Sequence, residues 1–263
     1  MIAGHKQSIQ RIVPQNSPSL YVVIAVFNES ANVDTLCKGL LELKAILGDV
    51  FRIQYIVVDD GSRDDTVSRF KSNNLGNSLM ILNHDVNQGP GAAFGTAFSY
   101  LANRIDDADR ILTMEGDNTS RLEIIQSMLD KVRCGAEVVL ASPNAPGGEI
   151  NNVVWYRLFL SHAANTLARW LLGLGGIYTL SSFFRLHTGG VMKRLQCQYG
   201  TSIIESSGFE WAVEMLAKLV RIKASIDEVP LRLDFSARKG PTKMRIIRTI
   251  VGYFRVFIRS RFW

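Results

Sequence analysis

Four short aliphatic runs, ending in polar turns and alternating with longer helical patterns, limit what this chain can fold into. Leu20–Val26 (LYVVIAV), Arg52–Val58 (RIQYIVV), Leu79–Leu82 and Arg110–Met114 have the length and composition of buried strands. A helical pattern covers Glu29–Leu47, with Leu36, Leu40, Leu43 and Leu47 on one face, and another covers Pro90–Arg104, entered through Gly89 and Gly91. Such alternation builds βαβ units, so the expected class is α/β: a Rossmann-like nucleotide-binding fold with a mainly parallel sheet flanked by helices.

Beyond the Pro143–Gly148 loop the pattern changes. A long apolar helix is expected from about Asn151 to Leu172, then a Gly/Ser/Thr-rich stretch to Ser182. A helix over Glu210–Val220, a strand over Ala224–Leu233 and a final basic helix complete the chain. No linker separates the halves. The division expected is an extension over 1–19, one domain over 20–242 (halves 20–141 and 142–242), and a helix over 243–263. With 263 residues, 47% of them hydrophobic, one domain can bury its own core.

Composition excludes several classes. The three cysteines lie far apart, which argues against a zinc site or disulfide framework and for a reducing, cytoplasmic setting. No apolar run reaches the ~18 residues of a membrane span. The net charge of +6 is concentrated in one place. Arg238–Trp263 holds eight Lys/Arg and no acid, so the preceding 237 residues sum to −2.

Distinctive polar groups stand where the strands end: Asn28-Glu29, Asp59-Asp60 and Glu115-x-Asp117. In parallel α/β sheets ligands bind outside the carboxyl ends of the strands. Any one group could be a turn or cap; three at successive strand ends point to a site. Glu115 and Asp117, at i and i+2, can share one side of an extended segment, and Gly116 admits close backbone approach. Two carboxylates so spaced suit Mg²⁺ or Mn²⁺ shared with substrate phosphates.

On these residues the chain resembles glycosyltransferase family 2, of GT-A fold, and within it the dolichol- and polyprenol-phosphate sugar synthases. Ile24-Ala25-Val26-Phe27-Asn28-Glu29 is similar to the family's I-P-x-Y-N-E. Val57-Val58-Asp59-Asp60-Gly61-Ser62-Arg63-Asp64-Asp65-Thr66 is similar to V-V-D-D-G-S-x-D-x-T. Asn87 to Ala93 matches N-x-G-x-G-x-A, and Glu115-Gly116-Asp117 takes the place of D-x-D. Ser182 to Leu186, Gly208-Phe209 to Glu214-Met215, Glu228-Val229-Pro230 and Arg238-x-Gly240-x-Thr242-Lys243 follow in the family's order. Departures are Ala25 for proline, Glu115 for the first aspartate, Ser142-Pro143-Asn144 where the synthases carry an arginine, and a shorter Arg238–Lys243 loop.

The resemblance implies an inverting, metal-dependent transfer from a nucleotide-diphosphate sugar to a polyprenyl phosphate, or to another lipid-linked or saccharide hydroxyl acceptor. It implies that Ala25, Phe27, Glu29, Val58 and Asp60 meet the base and ribose, and that Glu115, Gly116 and Asp117 meet metal and diphosphate. Arg185, Arg238 and Lys243 would meet phosphates, as guanidinium forks suit phosphate oxygens. Asp117, Arg185 and Glu214 are the catalytic candidates, with Glu214 or Glu210 as a base for a hydroxyl acceptor.

In helical projection Arg245, Arg248, Gly252, Arg255 and Arg259 form one stripe, with Ile246, Ile250, Tyr253, Phe254 and Phe257 opposite. That is the pattern of a helix lying in an anionic, cytoplasmic-face membrane interface rather than on nucleic acid. Its apolar face also offers a docking place for a membrane protein or a second copy. The rival reading takes Gly89 to Gly95 as a dinucleotide turn with Glu115 as the ribose acid of an oxidoreductase. It leaves Asp59, Asp60 and Asp117 unexplained. A catalytically silent nucleotide-sugar binder of the same fold is the second rival.

Overall fold

The computed structural model describes residues 17–151, 166, 169–170, 172–234 and 246–263. Most of the expected helix over Asn151–Leu172 lies outside these residues, as do Arg238, Lys243 and Arg245. The strands are β1 (Ser19–Val26), β2 (Arg52–Asp59), β3 (Leu79–Asn83), β4 (Arg110–Glu115), β5 (Val138–Ser142), β6 (Glu149–Asn151), β7 (Arg185–Thr188), β8 (Ile226–Pro230) and β9 (Arg232–Asp234). The helices are α1 (Ser30–Leu47), α2 (Thr66–Ser72), α3 (Pro90–Leu101), α4 (Ile125–Arg133), α5 (Gly189–Tyr199), α6 (Trp211–Arg221) and α7 (Ile246–Ser260).

Seven strands form one sheet in the order β3-β2-β1-β4-β7-β5-β8, and β6 pairs with β9 separately. All pairings in the large sheet are parallel except those of β7, which runs antiparallel to both β4 and β5. The apolar first strand, buried along most of its length, is central because both faces of the sheet are covered. One core joins α1, α2 and α4 to the first face; the other joins α3, α5 and α6 to the second.

The expected strand over Ala224–Leu233 is two, β8 and β9. Leu231 breaks it, its N–H donating to Ser142 O at 3.0 Å. Helices α4 and α5 and strand β7 carry no distinct sequence signal of their own.

Helix α7 packs with its small side inward. Thr249, Gly252, Val256 and Ser260 are buried. The expected stripe is therefore corrected at Gly252, which faces Glu210: an added Cβ would stand 2.7 Å from Glu210 Cδ. Phe254 is 48% exposed, and Val251, Ile258 and Phe262 are exposed beside it. Among the described basic residues of this helix region, Arg255 and Arg261 are exposed and Arg259 is half-buried.

Candidate active site

Strand order sets where the candidate residues lie. Consecutive numbering runs outward from β1 to β3 on one side, then jumps to β4 on the other, so the chain reverses between β1 and β4. A crevice at such a reversal is where open α/β sheets bind ligands. The register then aligns the candidates. Ala25 pairs with Val58 on one side and with Glu115 on the other, so the three lie in one row across β2-β1-β4. Val26 pairs with Asp59 one step further on.

The two opening motifs hold each other. Asn28, in the left-handed region with φ 50°, donates its N–H to Ser62 Oγ at 2.8 Å and accepts from Arg63 N at 2.8 Å. Glu29 N donates to Thr66 Oγ1 at 2.8 Å, and Ser30 N to Asp64 Oδ2 at 3.1 Å. Burial pushes the Asp64 carboxyl up, but hydrogen bonds from Thr66 and Ser30 leave it below its ordinary value. Glu29 is itself buried, with Asn32 Nδ2 at 2.6 Å from its Oε2. The long acidic motif thus locks the β1–α1 and β2–α2 turns into one rim.

Asp60 is buried. Its Oδ1 accepts from Gln88 N and lies 2.8 Å from His84 Nδ1, and its Oδ2 accepts from Gly89 N at 2.8 Å. His84 is braced in turn by Thr96 Oγ1 at 2.9 Å. His84 carries no sequence signal of its own, because its partner is 24 residues away.

Glu115 is half-buried, while Gly116 and Asp117 are buried. Asp117 Oδ1 accepts from Thr119 N at 3.1 Å and Thr119 Oγ1 at 2.6 Å. The room expected beside Gly116 is filled by the protein: an added Cβ would lie 2.6 Å from Val26 Cγ1. No group of three or more His, Cys, Asp or Glu side chains gathers as a metal cage among the described residues. Glu115 and Asp117 still fit Mg²⁺ or Mn²⁺ by donor chemistry, since such ions commonly take one or two carboxylates and complete their shell with substrate phosphates and water.

Two expectations change with the tertiary structure. Arg185, expected to meet phosphates, is wholly buried and donates from Nε to Ser182 O at 2.7 Å, from NH1 to Ala212 O and from NH2 to Leu180 O, both at 2.9 Å. Burial brings its pKa down to about 9. It is a backbone clamp, because antiparallel β7 delivers it between the sheet and α6. Glu214, a candidate base, is also buried. Its Oε1 pairs with Lys218 Nζ at 2.7 Å, and both its oxygens accept backbone N–H groups, from Glu205 and Ser206. The Glu-x-x-x-Lys spacing was the signal that would have revealed this pair.

Gly89 and Gly91 serve internal packing. A Cβ at either would collide with the carbonyl oxygens of Ser207 and Ser206, and Gly91 N donates to Ser207 O at 2.8 Å. The dinucleotide reading loses its glycine argument.

The mainly parallel sheet flanked by helices is of GT-A type. The glycosyl transferase family 2 model matches residues 21–192, and the chain belongs to that family. It is 28% identical over 230 residues to polyprenol monophosphomannose synthase of Mycolicibacterium smegmatis, covering 85% of this chain and 80% of that protein. It is 27% identical over 177 residues to undecaprenyl-phosphate mannosyltransferase of Micrococcus luteus, covering 67% and 70%. Glucosyl-3-phosphoglycerate synthase of Mycobacterium tuberculosis, solved with Mn²⁺, UDP and glucosyl-3-phosphoglycerate, superposes with TM-score 0.62 at 16% identity, covering 93% of this chain and 80% of that one.

Proposed function

We propose that this family 2 glycosyltransferase moves a hexosyl group, with mannosyl as the first candidate, from a nucleoside diphosphate to a polyprenyl phosphate at a membrane surface. The observation that carries the reading is the row Ala25–Val58–Glu115, with Asp117 beside it, at the reversal point of the sheet. The names of the two curated relatives support the lipid phosphate.

In this reading Ala25, Phe27, Glu29, Val58 and Asp60 form the nucleotide end, Asp60 by holding the Gln88–Gly89 turn. Glu115 and Asp117 would hold a divalent cation. Bound there, it would neutralise charge on the departing diphosphate. An oxygen of the acceptor phosphate forms the new bond to the anomeric carbon as the bond to the diphosphate breaks, its electron pair leaving with the diphosphate and the configuration inverting. The acceptor is already ionised near neutral pH, so the transfer needs no base. That agrees with Glu214 being committed to Lys218. Arg238 and Lys243, outside the described residues, keep their proposed place at the phosphates; Arg185 acts by shaping the wall from Leu180 to Ser182.

No helix among the described residues is long and apolar enough to cross a membrane. Helix α7 is the proposed contact with the bilayer. Val251, Phe254, Ile258 and Phe262 form its outer arc, with Arg255 and Arg261 exposed at its margins. Apolar side chains flanked by cations suit an anionic interface.

The test is a donor panel with Mn²⁺ or Mg²⁺ against polyprenyl phosphate and the matching polyprenol, with flotation on anionic vesicles. Transfer to the phosphate alone, with salt-sensitive flotation, is expected. Transfer to polyprenol instead overturns the phosphate acceptor. A self-associating chain that ignores vesicles makes the α7 arc a subunit interface.

A further inference from the structure

The Gln88–Gly91 turn is held from two sides. Asp60 grips Gln88 N and Gly89 N from the end of β2, and the carbonyls of Ser206 and Ser207 press on Gly91 and Gly89 from the other side. The 204–207 segment that supplies those carbonyls has no regular secondary structure, so its backbone groups need partners from elsewhere.

Helix α6 provides them. Glu214 accepts from Glu205 N at 2.9 Å and Ser206 N at 2.8 Å, while Lys218 Nζ donates to Ser202 O at 2.5 Å and Ile203 O at 3.3 Å. Lys218 also pairs with Glu205 Oε2 at 3.1 Å. The same Glu205 oxygen accepts from the indole N–H of Trp263 at 3.1 Å, and the Trp263 ring lies 4.6 Å from Lys218 Nζ. Arg221 NH1 donates to Trp263 O at 2.9 Å, and its NH2 to Ser260 O. A continuous set of polar contacts therefore runs from the foot of α7 to the turn beside Asp60.

We infer that Glu214, Lys218 and Trp263 are positioning residues for the Gln88–Gly91 turn, and that Trp263 couples the seating of α7 to the affinity for the nucleotide donor. The inference rests on the donor reading above. The energetic logic is that of a low-dielectric network. Trp263 covers the charges of Lys218 and Glu205, and without it water competes for the contacts that hold the 204–207 segment.

The experiment uses the full chain with Trp263→Phe and Trp263→Ala, and Glu214→Gln as the harsher variant. Calorimetric binding of nucleoside diphosphates, donor KM, acceptor KM, kcat and thermal melting are read for each. Trp263→Ala is expected to weaken nucleotide binding and raise donor KM about fivefold, the scale of one lost hydrogen bond and its cover, with acceptor KM and kcat nearly unchanged. Trp263→Phe, which keeps a ring over Lys218 but no indole N–H, falls between. Donor and acceptor KM moving together, or nucleotide binding that stays intact while only melting shifts, overturns the inference. A parent protein that binds nucleotide but transfers no sugar counts against the proposed reaction, and the binding arm still decides the coupling. A parent that binds no nucleotide overturns both.

Discussion

The carboxylate of Asp60 accepts the N–H of Gly89 at 2.8 Å across 29 positions of sequence, joining the end of β2 to the start of α3. Asp60→Asn sets an amide NH₂ against one of two N–H donors. Loss of a charge-assisted contact at the nucleotide end should weaken donor binding about tenfold, or ~1.4 kcal/mol. Calorimetry with a nucleoside diphosphate checks this. Unchanged affinity in a folded variant removes Asp60 from the donor site.

Asp117→Asn keeps an acceptor oxygen for Thr119, whose N and Oγ1 both bond Oδ1, and removes only the charge. Transfer should fall by orders of magnitude while circular dichroism and melting stay near the parent's. Undiminished turnover, or full activity in excess EDTA, refutes the role proposed for the cation.

Gly116→Ala forces a methyl group to within 2.6 Å of Val26 Cγ1. Overpacking of this kind costs ~1–3 kcal/mol. Val26→Ala removes the colliding carbon, so the double variant should be more stable than the sum of the single effects. Strict additivity in urea melts would show that Gly116 is required for another reason.

Acid should weaken the fold through His187. It is wholly buried, with Nδ1 3.3 Å from Ile111 O, and burial together with the nearby Arg185 charge brings its pKa from 6.5 down to about 3. Between those values the unfolded chain binds the proton and the native state does not, so stability falls as pH drops through that window. The loss approaches ~2 kcal/mol near pH 5 relative to neutrality. His187→Leu should flatten this part of the urea stability profile. An equal pH slope in parent and variant would assign the effect to other groups.

The opening half was legible because its signals are local. Aliphatic runs bounded by polar turns define β1 to β4, and the acids at their ends mark the rim. Adjacent placement of β2, β1 and β4 aligns Val58, Ala25 and Glu115, which lie far apart in the chain. Family motifs spaced along one sequence also carried the family, whose model matches residues 21–192.

Partner choice and facing were decided only in three dimensions. Arg185 reads as a phosphate-seeking cation until β7 inserts antiparallel between β4 and β5 and buries it against three carbonyls. Glu214 reads as a base until α6 lays it beside Lys218 and the 204–207 backbone. Helix α7 carries apolar residues on more than one side, so its periodicity alone cannot say which side packs. The small face of Thr249, Gly252, Val256 and Ser260 lets the helix approach the core closely, Gly252 against Glu210, and this leaves Phe254 and Ile258 outside. The residue types that can act are written in the sequence; whether a charge meets solvent, ligand or a buried carbonyl depends on contacts between segments that only folding brings together.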